Sequence, residues 1–132
     1  MKTLVVDDEL TTRILLQEIL SGYGEVDSCI DGSEAVLAYR KAVAGGRPYD
    51  LICMDLLMPN MSGLDALKVM RREEESNGGL GTPTAKVIIT TASNDDETIK
   101  QAFREFCDAY IVKPIDAEEL IGLVECLASV TK

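Results

Sequence analysis

Five short apolar or β-branched runs, each followed by a stretch long enough for a helix, alternate along the whole chain, and this alternation limits the possible folds more than any other feature. Residues 3–6 form the first run. Residues 9–20 then place Leu10, Ile14, Leu16, Ile19 and Leu20 at helical spacing, until Gly22 and Gly24 stop the pattern. Residues 25–30 read as a weaker strand, and Asp31-Gly-Ser-Glu34 has the spacing of a capping box for a helix to about Val43. Leu51-Ile-Cys-Met54 is continuously apolar, as expected of a central strand covered on both faces, and it ends abruptly in Asp55. Loop chemistry from Met58 to Gly63 precedes a helix carrying Leu64, Leu67 and Met70, which dissolves into Arg71 and Arg72. Glu73, Glu74 and Glu75 read as its solvated end, and residues 76–83 as a glycine-rich surface loop. Val87-Ile-Ile89 is a fourth strand, Asn94 caps a helix to about Phe106, Tyr110-Ile-Val112 is a fifth strand, and Asp116 caps a last helix reaching Ala128.

Strand-helix alternation with nearly continuous apolar strands implies a parallel sheet with helices on both faces, because right-handed crossovers put them there. Five such units in 132 residues fit a single domain over residues 1–132, a doubly wound α/β fold of strand order 2-1-3-4-5, flavodoxin-like, whose ligand site lies beyond the carboxyl ends of the strands. No apolar run approaches the roughly 18 to 20 residues needed to cross a bilayer, and Asp7 and Asp8 interrupt any secretory signal, so the expectation is a cytoplasmic protein without membrane insertion. A formal charge of −10 excludes tight nucleic-acid binding through a basic footprint. With no His, and with Cys29, Cys53, Cys107 and Cys126 scattered and read as reduced core residues, zinc, haem and iron-sulfur sites lack their ligands. Histidine-based catalysis within the chain is excluded as well.

The chemistry gathers at one edge. Asp7 and Asp8 follow the first strand, Asp55 the third, Thr91 the fourth and Lys113 the fifth. Three carboxylates converging in a partly desolvated crevice repel one another unless a cation lies between them, and oxygen-only ligation selects Mg²⁺ or Mn²⁺. Lys113 and the Thr91 hydroxyl complete an anion site. As caps of the first helix alone, Asp7 and Asp8 would need no third carboxylate.

These motifs, Leu4-Val-Val-Asp-Asp-Glu9, Met54-Asp-Leu-Leu-Met-Pro-Asn-Met-Ser-Gly63, Ile88-Ile-Thr-Thr-Ala92 and Ala109-Tyr-Ile-Val-Lys-Pro114, resemble the receiver domain of two-component response regulators over the whole chain, in the free-standing CheY-like form with no output domain. The resemblance implies a phosphorylation-activated signalling switch rather than an enzyme. Asp55 is then the phosphoacceptor, Asp8, Asp55 and the backbone carbonyl of Leu57 bind Mg²⁺ directly, and Asp7 reaches it through water. Lys113 and Thr91 hold the phosphoryl group, Thr91 and Tyr110 act as the switch pair, and the Lys113–Pro114 bond is expected to be cis. The implied partners are a histidine kinase or His phosphotransfer protein and a downstream protein target, in a chemotaxis-type or phosphorelay circuit. The missing histidine fits a protein that takes phosphate from a phosphohistidine elsewhere.

Two departures stand out. Phe106-Cys-Asp-Ala109 replaces the usual Gly-Ala before the fifth strand, and the interval from Asp55 to Thr91 is long for the family because of the loop between Glu73 and Thr84. Leu57 and Ser93 occupy positions that influence how quickly the phosphoryl group is lost in this family. Thr90 is a rival to Thr91 for the hydroxyl role. A phosphatase of the haloacid dehalogenase kind is disfavoured because Leu57 stands where that class has an acid, and a pseudo-receiver because all five site positions are kept.

Overall fold

The structure, a computed structural model, describes residues 1–56, 58, 60–78, 85–92, 97 and 106–128. Five parallel strands, β1 (Lys2–Val6), β2 (Glu25–Cys29), β3 (Leu51–Asp55), β4 (Lys86–Thr91) and β5 (Ala109–Val112), form one sheet of order β2-β1-β3-β4-β5, as the alternation predicts. Among the described residues the helices are α1 (Leu10–Leu20), α2 (Gly32–Ala44), α3 (Gly63–Gly78) and α4 (Ala117–Ala128). The helix expected over residues 94–106 lies almost wholly outside the described residues. Among the described residues, no helix is long and apolar enough to cross a membrane.

Alternation along the strands divides the interior into two layers. Leu4, Val6, Ile52, Met54, Val87 and Ile89 face α2 and α3, where they meet Ala35, Val36, Tyr39, Ala66, Leu67 and Met70. Val5, Leu51, Cys53, Ile88, Ala109 and Ile111 face the other way, onto Leu16 and Leu20 of α1 and Leu120 and Val124 of α4. β3 is buried along its whole length, since it is covered on both faces and flanked by β1 and β4. Full burial of each such Leu, Ile or Val is worth about 1.5 to 3 kcal/mol, so these two layers set the sheet rigidly beneath its carboxyl edge.

Several local readings are corrected. The first helix packs on the sheet through Leu16, Leu20 and the half-buried Ile19, whereas Leu10 and Ile14 are 63% and 46% exposed. Glu73 and Glu74 are not a solvated end. The helix continues to Gly78, Glu73 takes a two-pronged ion pair from Arg40 of α2, and Glu74 binds both Arg71 and the Ala85 backbone N–H. Arg71, 19% exposed, also donates to the carbonyls of Ala85 and Phe106 and lies 3.4 Å from Asp108. The guanidinium therefore pins α3 to the segments entering β4 and β5. Of the four cysteines, Cys29 and Cys53 are buried, whereas Cys107 is half-buried and Cys126 exposed. The caps hold: Asp31 accepts from Glu34 N–H and Asp116 from Glu118 N–H.

Candidate functional site

Backbone hydrogen bonds carry the sheet ladder one residue past its strands and so fix the groups at its carboxyl edge. Asp7 N–H donates to the Cys29 carbonyl at 3.1 Å, Leu56 N–H to Thr90 at 2.9 Å, and Lys113 N–H to Thr91 at 2.7 Å. The Lys113–Pro114 peptide bond is cis, matching the expectation from sequence. Behind Asp55 the chain doubles back, with Gly63 N–H donating to the Leu56 carbonyl. A Cβ at Gly63 would collide with the Asp55 carbonyl oxygen, so only glycine lets the start of α3 approach the strand end this closely.

On this frame Asp7, Asp8 and Asp55 converge, one carboxylate oxygen from each lying within 4.8 Å of the others. Asp7 is fully buried, Asp55 is 7% exposed, and Asp8 faces solvent. One oxygen of Asp7 accepts from Glu9 N–H at 2.8 Å in the turn before α1, and the other meets Lys113 Nζ at 2.8 Å. The same ammonium lies 3.2 Å from Asp55 Oδ2 and 3.3 Å from Glu9 Oε1. Burial by itself lowers the pKa of Lys113, but the Asp7 hydrogen bond and the charges of Asp55 and Asp7 outweigh it, and the net shift is upward. The ammonium is firmly charged and bridges two carboxylates. An open cleft between Glu9, with Thr12 and Leu15 of α1, and Lys113, Pro114 and Ile115 gives solvent access to it.

Three carboxylates against one bridging ammonium leave an excess of negative charge among oxygen donors, and this donor set suits a hard divalent cation. Leu57 lies outside the described residues. Thr91, 1% exposed, ends β4. Thr90 pairs with Asp55 across the β3–β4 ladder, and its buried hydroxyl has no partner among the described residues. Tyr110 is 42% exposed on the edge strand. Ser93 is outside the described residues. Arg13, absent from the sequence-based site residues, donates its guanidinium to the Asp7 carbonyl at 2.7 Å and holds the turn between β1 and α1. Its place in the first turn of the helix that follows the acid pair is its only signal in the sequence.

The sequence profile of the response regulator receiver domain matches residues 3–125, and the chain belongs to that family. It is 35% identical over 133 residues to the chemotaxis protein CheY of Treponema pallidum, covering 99% of this chain and 83% of that protein. Among solved structures it resembles the CheX-CheY-BeF3-Mg+2 complex from Borrelia burgdorferi, with a TM-score of 0.81, 26% identity, and coverage of 99% of this chain and 90% of the other. It also resembles the co-crystal structure of the Saccharomyces cerevisiae histidine phosphotransfer protein Ypd1 with the receiver domain of Ssk1, with a TM-score of 0.82, 27% identity, and coverage of 98% and 89%. Family membership and the acidic cluster together support a phosphorylation-based signalling role.

Proposed function

We propose that the chain is a receiver that accepts a phosphoryl group on Asp55 from a phosphohistidine of a histidine kinase or His phosphotransfer protein, in a Mg²⁺-dependent reaction, and signals by binding a downstream protein. The observation that carries this reading is the convergence of Asp7, Asp8 and Asp55 with Lys113 bridging two of them.

An Asp55 carboxylate oxygen forms the new bond to phosphorus as the bond to the donor nitrogen breaks, and the electron pair leaves with the imidazole. Asp8 and Asp55, with the carbonyl of Leu57 and with Asp7 acting through water, would hold Mg²⁺, which neutralises phosphoryl oxygen charge when bound. Lys113 is already positioned beside Asp55 as a preorganised cation for the same oxygens, so no reorganisation is needed as charge builds. Thr91 donates its hydroxyl to the phosphoryl group, and Tyr110 changes rotamer in response, repacking the surface around β5 for a partner. The chain's own chemistry is limited to its phosphorylation and dephosphorylation.

Acetyl phosphate or beryllofluoride should modify or occupy Asp55 only with Mg²⁺ present, as read by intact mass or ³¹P spectra. Equal labelling in EDTA, or undiminished labelling of Asp55→Asn, refutes the assignment.

A further inference from the structure

The connection from Leu56 to Ser62 leaves β3 directly behind Asp55, and it is tied down at both ends. Its base is held by Leu56 N–H on the Thr90 carbonyl and Gly63 N–H on the Leu56 carbonyl. Its tip is held by the start of α2: Asn60 Nδ2 donates to Asp31 Oδ2 at 2.8 Å, and Gly32 N–H donates to the Met61 carbonyl at 3.2 Å. Any side chain at Gly32 would begin 2.5 Å from that carbonyl, so α2 and the loop meet backbone to backbone.

Asp31 divides its labour. Its Oδ1 caps α2 by accepting from Glu34 N–H at 2.9 Å, which satisfies the helix, while Oδ2 accepts from the loop. The Glu34 N–H and the Asn60 amide together hold its carboxyl below the usual carboxylate range. Asn60 in turn adopts a left-handed backbone with φ of 68°, where glycine is unstrained and most other residues are costly. A turn needing only that backbone is served by glycine. The carboxamide adds a bond to a buried carboxylate on a neighbouring element.

We propose that Asp31 and Asn60 are positioning residues for the acid pocket: their clasp holds the connection that follows Asp55 and thereby sets the pocket's Mg²⁺ affinity and its rate of phosphorylation. This rests on the reading of Asp55 as a Mg²⁺-dependent phosphoacceptor. Breaking the clasp frees the backbone beside the carboxylate without touching any group that contacts metal or phosphate. Supporting groups of this kind commonly change metal affinity by about 10- to 100-fold when removed, and one acting through a loop should give about three- to tenfold.

The test is Mg²⁺ titration by amide NMR shifts, alongside thermal midpoints and acetyl phosphate labelling rates, for wild type and three variants. Asn60→Gly keeps the backbone unstrained and removes only the amide; it should melt close to wild type yet bind Mg²⁺ about three- to tenfold more weakly and label correspondingly slowly. Asn60→Asp sets two carboxylates against each other. Through-space attraction from the added charge would tighten Mg²⁺ binding, so a weakening there reports the broken clasp. Exchanging the pair, Asp31→Asn with Asn60→Asp, restores both the bond and the net charge and should return affinity to within about twofold of wild type. Wild-type affinity in Asn60→Gly, or no recovery in the exchanged pair, overturns the clasp while leaving Asp55 as phosphoacceptor. A wild-type chain that neither binds Mg²⁺ nor becomes labelled overturns both.

Discussion

Replacing Lys113 by methionine keeps most of the side-chain volume and deletes the cation that spans Asp7 and Asp55. Its side chain is 14% exposed, against 0% for Asp7 and 9% for Asp55, so solvent screens the pair weakly. Breaking a buried pair from one side typically costs about 3 to 5 kcal/mol, because the charge left behind is uncompensated. The expected loss for the metal-free protein is therefore about 3 to 5 kcal/mol, a large share of a total stability of order 5 to 15 kcal/mol. Urea unfolding at several pH values reads it. The wild-type ammonium has a raised folded pKa, so its contribution is fully present below the unfolded lysine value of about 10.4 and is lost as pH rises through the folded value. Mg²⁺ should narrow the deficit of Lys113→Met, since a bound ligand at about 100 times its dissociation constant adds about 2.7 kcal/mol and the variant pocket has lost its competing cation. A variant as stable as wild type without metal, or one whose Mg²⁺ affinity collapses, would show that the ammonium does not balance these carboxylates.

Arg71→Leu should cost about 3 kcal/mol in urea unfolding, because one guanidinium serves the Ala85 and Phe106 carbonyls and the Glu74 and Asp108 carboxylates; a loss under about 1 kcal/mol would make the pin incidental. Labelling of Asp55 should survive in the folded fraction, since Arg71 lies at the opposite end of β4 from Thr91. Iodoacetamide under native conditions should modify exposed Cys126 and spare Cys53, whose thiol burial pushes up to about 12. Peptide mapping showing comparable rates at the two positions would contradict the buried placement of β3.

Local chemistry determined much of this protein in advance. Period-two and period-3.6 patterning separates strands from helices, Asp31 and Asp116 announce helix starts, and abrupt polar residues after apolar runs mark the carboxyl edge, because each signal depends only on neighbours in the chain. Asp7, Asp8, Asp55, Thr91 and Lys113 were legible for that reason: a parallel sheet sends every strand's end to the same side. Other features depend on rotation and partner choice, which the chain cannot encode locally. Leu10 and Ile14 match the helical period yet face solvent, since packing of Leu16 and Leu20 on the sheet fixes how α1 is turned about its axis. Glu73 and Glu74 look like any charged helix end, and only the apposition of α2, α3 and the approach to β4 supplies Arg40 and the Ala85 amide. Lys113 reaches Asp7 across 106 positions, and Asn60 reaches Asp31 across 29. Such bonds are chosen by the strand order that brings distant segments within 3 Å, a distance set by the two packed layers and recorded nowhere in the local sequence.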